Sequence, residues 1–373
     1  MARARRLLVV APNWLGDAVM MTPLLNCLDT WRRAAGGPSF VVTLAVREAW
    51  APLFAGDPRL DELLVTERPG RHDGLGGLLA QAARWRQGRF DAVLLGPPSL
   101  RAALTAAIAG IPLRIGHRGD TRSFLLTRAL RRAPRGTRHY TNEMVDLGNA
   151  LAAAWSLEGT APAADEPRAT SLVTPGVAAA TAGARPIWAV GPGTTFGPAK
   201  NWPADPLGAF VAAAVAEQGV RVVLLGDAGS AATLAVIRAS WPALRWAGAL
   251  DTVAAQAEAD VIDLTGQTSL AEAVGWLGRA QLYVGNDSGL MHVAAAMGTP
   301  TIGLFGSSNP EWTRPTGPRV AVIAAEGFAC RPCYRRLCNQ PVFCLATVDA
   351  ARVLATARKL LSDGADGEGR CAP

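Results

Sequence analysis

Three short segments of this chain combine reactive residue types with spacings that bring them to the ends of strands. In Ala11-Pro-Asn-Trp-Leu-Gly-Asp17-Ala-Val-Met20 an apolar run stops at Pro12, and a carboxylate follows Gly16 where a helix begins. A carboxylate in such a turn faces the carboxyl edge of a sheet and can serve as a general base; an ordinary helix cap is the alternative reading of the same residue. The second segment is Gly191-Pro-Gly-Thr194-Thr195-Phe-Gly-Pro-Ala-Lys200-Asn-Trp-Pro203. Glycine and threonine at a strand end let backbone N–H and hydroxyl groups approach a phosphate, and a nearby ammonium adds a point charge. In the third, Asp287-Ser288-Gly289-Leu290-Met-His292, a helix opens whose free N–H groups and positive dipole end suit a diphosphate. Asp287 also fits a cap, and His292 a residue packed for structure alone. No Gly-Lys-Ser/Thr follows the second segment, so it is not a P-loop, and the first lacks the Gly-x-Gly-x-x-Gly of dinucleotide sites.

These turns need strands to end on and helices to enter. Apolar runs rich in Val and Leu occur at 7–11, 40–46, 63–66 and 92–96, with helical spacing at 18–31 and 75–86 between them. Short apolar strands alternating with helices predict a parallel sheet covered on both faces. The pattern stops at 158–185, where Pro162, Pro167 and Pro175 sit among Ala, Thr and Gly, and restarts with strands at 187–190, 222–226, 281–285 and 299–305. A last helix is expected at 348–361. The reading is two α/β domains, 1–165 and 166–373, facing a cleft, and the 373-residue length agrees, since single cores stop growing near ~250–300 residues. A chain 50% hydrophobic and 18% charged is neither disordered nor collagen-like. Its longest apolar run, 104–113, falls short of the ~18–20 residues that span a bilayer, and the basic N-terminal stub lacks a cleavage site, so the expectation is a cytoplasmic protein.

The formal charge is +7 and it is uneven: residues 1–160 carry 21 Lys+Arg against 13 Asp+Glu. Eight arginines, including Arg114, Arg118, Arg122, Arg131 and Arg132, lie between 114 and 138 with Asp120 as the one acid. Such a run is a solvated face or a site for an anionic partner, and it lacks the interleaved aromatics and reading motifs of nucleic-acid binders. Lys200 is one of only two lysines, with Lys359; a plain surface lysine is one reading of it, and its position beside the Gly-Thr loop gives a phosphate role as the other. Four of the six cysteines, Cys330, Cys333, Cys338 and Cys344, crowd together. Four thiolates can close a zinc site, but zinc sites usually have two Cys-x2-Cys knuckles and this spacing has one, which favours reduced thiols and no metal.

Taken in order, PNWLGDAVM, GTT with K-x-W-P, NDSGLMHVAAAMGTP and GLFGSSNPEWTRP resemble the heptosyltransferase family of bacterial lipopolysaccharide assembly. The likeness extends through RFDAVLLGPPS, IPLRIGHRGDTR and CRPCYRRLC to nearly the whole chain. It implies a GT-B architecture of two Rossmann-like domains, the first holding an acceptor and the second a nucleotide sugar. The implied donor is ADP-L-glycero-D-manno-heptose, and the implied acceptor is the first heptose of the inner core (heptosyl-Kdo2-lipid A) at the inner-membrane surface, to which the enzyme would bind peripherally. No cofactor is required and no nucleic acid is bound on this reading. Asp17 matches the family's base in an inverting displacement; Thr194, Thr195, Lys200, Asp287, Ser288, Gly289, Leu290 and His292 would hold the donor, and the arginine run the acceptor. A related transferase with another nucleotide sugar, or a non-catalytic nucleotide- or sugar-binding protein on the same frame, are the alternatives.

Overall fold

The computed structural model describes residues 3–34, 40–157, 166–173 and 185–365. The chain forms two compact units, 1–175 and 176–373. The first runs through β1 (Arg5–Val10), α1 (Leu15–Met20), α2 (Thr22–Ala34), β2 (Phe40–Arg47), β3 (Glu62–Thr66), α3 (Gly74–Gln87), β4 (Ala92–Leu95), α4 (Leu100–Ile108), β5 (Leu113–His117), β6 (Arg128–Leu130) and α5 (Tyr140–Trp155). Its strands form one parallel sheet in the order β3-β2-β1-β4-β5-β6. Val10 pairs with Ala45 on one side and Leu95 on the other. Leu7, Leu8, Val9, Val93, Leu94 and Leu95 have no exposed surface, which is why these strands read as unbroken apolar runs: helices cover both faces.

The second unit runs through β7 (Ile187–Gly191), α6 (Ala204–Gln218), β8 (Arg221–Leu224), α7 (Ala231–Ser240), β9 (Trp246–Gly248), α8 (Val253–Glu258), β10 (Val261–Asp263), α9 (Leu270–Arg279), β11 (Leu282–Asn286), α10 (Gly289–Ala296), β12 (Thr301–Phe305), α11 (Pro310–Thr313), β13 (Val320–Ala324) and α12 (Ala350–Ala365). The parallel sheet order is β13-β12-β11-β7-β8-β10-β9. Trp188, Trp202 and Phe210 fill the core on one face, where Trp202 Nε1 donates to the Val348 carbonyl at 2.9 Å. Both sheets are doubly wound, and the expected class, two Rossmann-like α/β units, is the one observed.

In each sheet the strand order reverses once beside the first strand, between β1 and β4 and between β7 and β11. Loops leaving those strands diverge there and open the crevice in which such sheets hold ligands. The helix expected over 18–31 is two helices. Met21 ends α1, and Pro23 opens α2 within its first turn, where its missing N–H leaves no hydrogen bond unmade. Residues 158–165 and 174–184 of the expected linker lie outside the described residues; 166–173 are bound to the first unit, where Ser171 N–H donates to Thr22 Oγ1 at 3.1 Å and Arg59 Nη2 to the Ser171 carbonyl at 3.2 Å.

Candidate active site

At the switch point of the second sheet, β7 ends on Gly191 and β11 on Asn286, with Gly191 in register with Gly285. The buried Tyr283 side chain lies against both glycines; a Cβ at Gly191 would stand 2.2 Å from its hydroxyl, so neither position admits another residue without a shift. Asn286, itself buried, accepts the Trp202 N–H at 2.9 Å and lies 3.4 Å from the Gly191 carbonyl through Nδ2, tying the loop after β7 to β11. That loop carries Thr194, whose hydroxyl lies within hydrogen-bond distance of the Gly197 carbonyl and Asn201 Oδ1, then the exposed Thr195, and ends in a short helical turn at Lys200.

Lys200, Asp287 and His292 form one cluster. The ammonium meets Asp287 Oδ2 at 2.5 Å and lies 4.9 Å from the Phe196 ring centroid, while Asp287 Oδ1 is 3.9 Å from His292 Nε2. Asp287 is not the helix cap: Ser288 occupies that position of α10, and its side chain makes no cap bond, so no side chain of that residue occupies the first amides of Gly289 and Leu290. Burial pushes His292 down to about 4, against a smaller upward pull from Asp287, so the ring is neutral at pH 7; its Nδ1 makes no hydrogen bond within the protein. Neutral imidazole, charge-compensated lysine and open helix-end amides together make a strand-end cluster suited to an anion.

In the first unit Asp17 is the third residue of α1, half-buried, while Trp14 holds the cap position and is 62% exposed. The capping reading of Asp17 does not apply. The turn before it is fixed through the Asn13 carbonyl, which accepts Trp50 Nε1 at 3.0 Å and Arg47 Nη1 at 3.2 Å. Tyr140 at the start of α5 is buried and its hydroxyl is driven well above its usual range, first by burial and then by Asp17, with Arg132, Glu143 and Arg122 also acting on it. One tyrosine thus feels both the candidate base and the arginine run, so the two share one edge of the sheet.

The arginine run is not a uniform face. Arg122 has no exposed surface; its guanidinium donates to the carbonyls of Pro97 and His117, so it builds the loops rather than meeting a ligand, a correction to its expected acceptor role. Arg114 likewise donates to the Ile111 and Leu125 carbonyls, and Arg132 Nε is 2.6 Å from Glu143 Oε2. Arg118 and Arg131 are exposed, as is Phe124 at 79%. His117, at the end of β5, is lowered to about 4 by burial and then by Arg132, Arg122 and Arg138. Neither that histidine nor the Arg132–Glu143 pair was visible in the sequence, where a run of arginines conceals which of them are inside.

The four clustered cysteines line one concavity of about 240 Å³ with Ala199, Ser307 and Arg331. Cys344 is buried and Cys330 and Cys338 exposed, and among the described residues no group of three or more His, Cys, Asp or Glu is arranged to hold a metal ion. A second concavity, about 420 Å³ between Arg3, Arg6 and Arg89, opens at the amino edge of the first sheet, away from the strand ends that bind ligands.

The sequence profile of glycosyltransferase family 9 (heptosyltransferase) matches residues 79–343. The chain belongs to this family. It is 31% identical over 333 residues to lipopolysaccharide heptosyltransferase 2 of Escherichia coli K12, covering 85% of this chain and 87% of that one. Lipooligosaccharide heptosyltransferase 2 of Haemophilus influenzae is 29% identical over 335 residues, covering 85% and 88%. The solved structure of E. coli ADP-heptose LPS heptosyltransferase II superposes with a TM-score of 0.70 at 26% identity over 96% of this chain and 99% of that one. A family 9 glycosyltransferase from Veillonella parvula gives 0.73 at 22% identity over 97% and 99%, a likeness of fold. The family 9 chain is therefore an enzyme, a glycosyltransferase built as two Rossmann-like units of GT-B type. Among its described residues no helix is long and apolar enough to cross a membrane.

Proposed function

We propose that this enzyme transfers L-glycero-D-manno-heptose from ADP-heptose to a hydroxyl of the first heptose of the lipopolysaccharide inner core, with inversion at the anomeric carbon. The observation that carries this reading is the pair of switch-point sites: a half-buried carboxylate in the first turn of α1 in the first unit, and a lysine, carboxylate, histidine and open helix start in the second. Inversion is a single displacement. Asp17 takes the proton of the acceptor hydroxyl as its oxygen attacks the anomeric carbon, and the bond to the ADP oxygen breaks with its electrons on the diphosphate. Charge then grows on the leaving group, where Lys200, the Thr194 and Thr195 hydroxyls and the amides of Ser288, Gly289 and Leu290 can receive it. Those groups suffice for the reading without a cofactor.

The acceptor carries carboxylates and phosphates, and exposed Arg118 and Arg131 with the neighbouring Phe124 suit an anionic, partly apolar surface. On this reading the enzyme works at the cytoplasmic face of the inner membrane as a peripheral protein, with its first unit, 1–165 by the sequence reading, for acceptor and its second for donor. A thermal-shift panel of nucleoside diphosphates tests the donor. A ligand at ~100 times its dissociation constant adds about 2.7 kcal/mol, so ADP should raise the unfolding temperature and UDP and GDP at the same concentration should not. A shift with UDP alone would move the enzyme to another donor class.

A further inference from the structure

Ser307 and Ser308 follow β12 at the carboxyl edge that carries the Lys200 cluster. They are 1% and 3% exposed, and neither hydroxyl has a hydrogen-bond partner within the protein. Buried hydroxyls are rarely left without a partner, and two in succession on a ligand-facing edge point to one supplied from outside the chain. The turn that bears them is held from below. Arg331 Nε donates to the Gly306 carbonyl at 2.5 Å and Nη2 to the Phe305 carbonyl at 3.1 Å, while Tyr334 N–H donates to the Ser307 carbonyl at 2.9 Å. The same segment reaches the loop of Lys200, because the Arg336 carbonyl accepts the Ala199 N–H at 3.1 Å. The turn and that loop also touch directly: a Cβ on Gly306 would lie 3.4 Å from the Ala199 carbonyl oxygen. On its other side, Asp287 N–H donates to the Leu304 carbonyl at 3.1 Å.

We propose that the Ser307 and Ser308 hydroxyls are further donor contacts that bind phosphate oxygens of the nucleoside diphosphate, and that Arg331 is the residue that positions them. The inference rests on the reading of this edge as the donor site. Arg331 touches no reacting group; it acts by fixing two carbonyls next to the serines. Ser307 also borders the concavity that Cys333 and Cys344 of the same segment line.

Isothermal titration of ADP and of inorganic pyrophosphate into the full chain tests this. Each Ser→Ala change should weaken both ligands by about tenfold, the size expected for one hydrogen bond to a charged acceptor. Thermal stability of both variants should stay level or rise, because an unpartnered buried hydroxyl is removed; a merely structural role for the serines would lower it. Arg331→Ala should weaken both ligands in the wild-type background but by less than about twofold when added to Ser307→Ala/Ser308→Ala, and Arg331→Lys should recover part of the loss. The double serine variant binding pyrophosphate within twofold of wild type, or a wild type that binds no pyrophosphate, would overturn the serine assignment. An Arg331→Ala loss undiminished in the double-serine background would overturn its positioning role. Failure of wild type to bind ADP while it binds pyrophosphate, with the serine variants still weakened, would instead remove ADP as the donor nucleotide and leave these contacts standing.

Discussion

Removing the Lys200 ammonium should damage donor binding more than the loss of one contact, because it exposes Asp287. The two side chains are 15% and 7% exposed and 2.5 Å apart. In Lys200→Ala the lost hydrogen bond to a phosphate oxygen costs about 1.5–3 kcal/mol. The Asp287 carboxylate, no longer neutralised, then faces the diphosphate, and unit charges ~6 Å apart at an effective dielectric of ~20 repel by about 3 kcal/mol. Together these predict a loss in ADP affinity of about 10³- to 10⁴-fold by titration calorimetry. Breaking a buried pair from one side also costs about 3–5 kcal/mol, so the unfolding temperature should fall. Lys200→Ala/Asp287→Asn removes the stranded charge at nearly constant shape. It should therefore bind ADP more tightly than Lys200→Ala alone, by about 10²-fold on the same repulsion estimate. Equal affinities in the two variants would refute the idea that Lys200 works as half of a compensated pair, and an affinity for Lys200→Ala within a few-fold of wild type would remove Lys200 from the donor site.

Asp17→Asn should lower turnover by about 10²- to 10⁴-fold, the range of a lost general base, with ADP affinity changed less than about twofold; activity near wild type would return Asp17 to a structural role. Charge reversal of the exposed pair, Arg118→Glu/Arg131→Glu, should raise the apparent acceptor constant and flatten its salt dependence while leaving ADP affinity alone, whereas a change in ADP affinity without one in acceptor would misplace the acceptor. His117 and His292 both lie near 4 when folded and near 6.5 when exposed, so between those values the unfolded chain binds protons that the folded chain does not. Stability is complete above about pH 6.5 and should decline as pH falls toward 4; unfolding midpoints across pH 4–7 should show this, and His292→Gln should reduce the slope, whereas an unchanged slope would mean that this ring is not held below its usual range.

What the sequence reveals depends on whether a residue's role is set locally. The placement of Asp17, Lys200 and Asp287 is legible, because Asp17 and Lys200 follow an apolar strand through a Gly- or Pro-containing loop and Asp287 follows one directly, and strand order then puts them at a switch point. Arg122 is not legible: its burial depends on carbonyls from Pro97 and His117 that only the β4–β5 pairing brings together, so eight similar arginines divide into builders and exposed residues with no local mark. The break between α1 and α2 is carried by Pro23 in an otherwise continuous apolar spacing, and a proline in a first turn looks in sequence like one inside a helix. The strands β5 and β6 are short, β5 interrupted by Arg114 and Gly116 and β6 only three residues beginning at Arg128, and they are recognised by their pairing rather than their composition. Ser307 and Ser308 read as an ordinary polar turn, because only the folded chain shows that their hydroxyls are buried and unmatched.

The most direct test incubates the purified enzyme with ADP-L-glycero-D-manno-heptose and heptosyl-Kdo2-lipid A in the presence of a chelator, follows ADP release and product mass, and reads the anomeric configuration of the new linkage by NMR. The expected result is stoichiometric ADP, an acceptor heavier by one heptose, a linkage of opposite configuration to the donor, and a rate that excess chelator does not lower. Retained configuration would contradict the single displacement from Asp17, a requirement for added magnesium would contradict the way ADP is proposed to leave, and an acceptor left unmodified would contradict the proposed function itself.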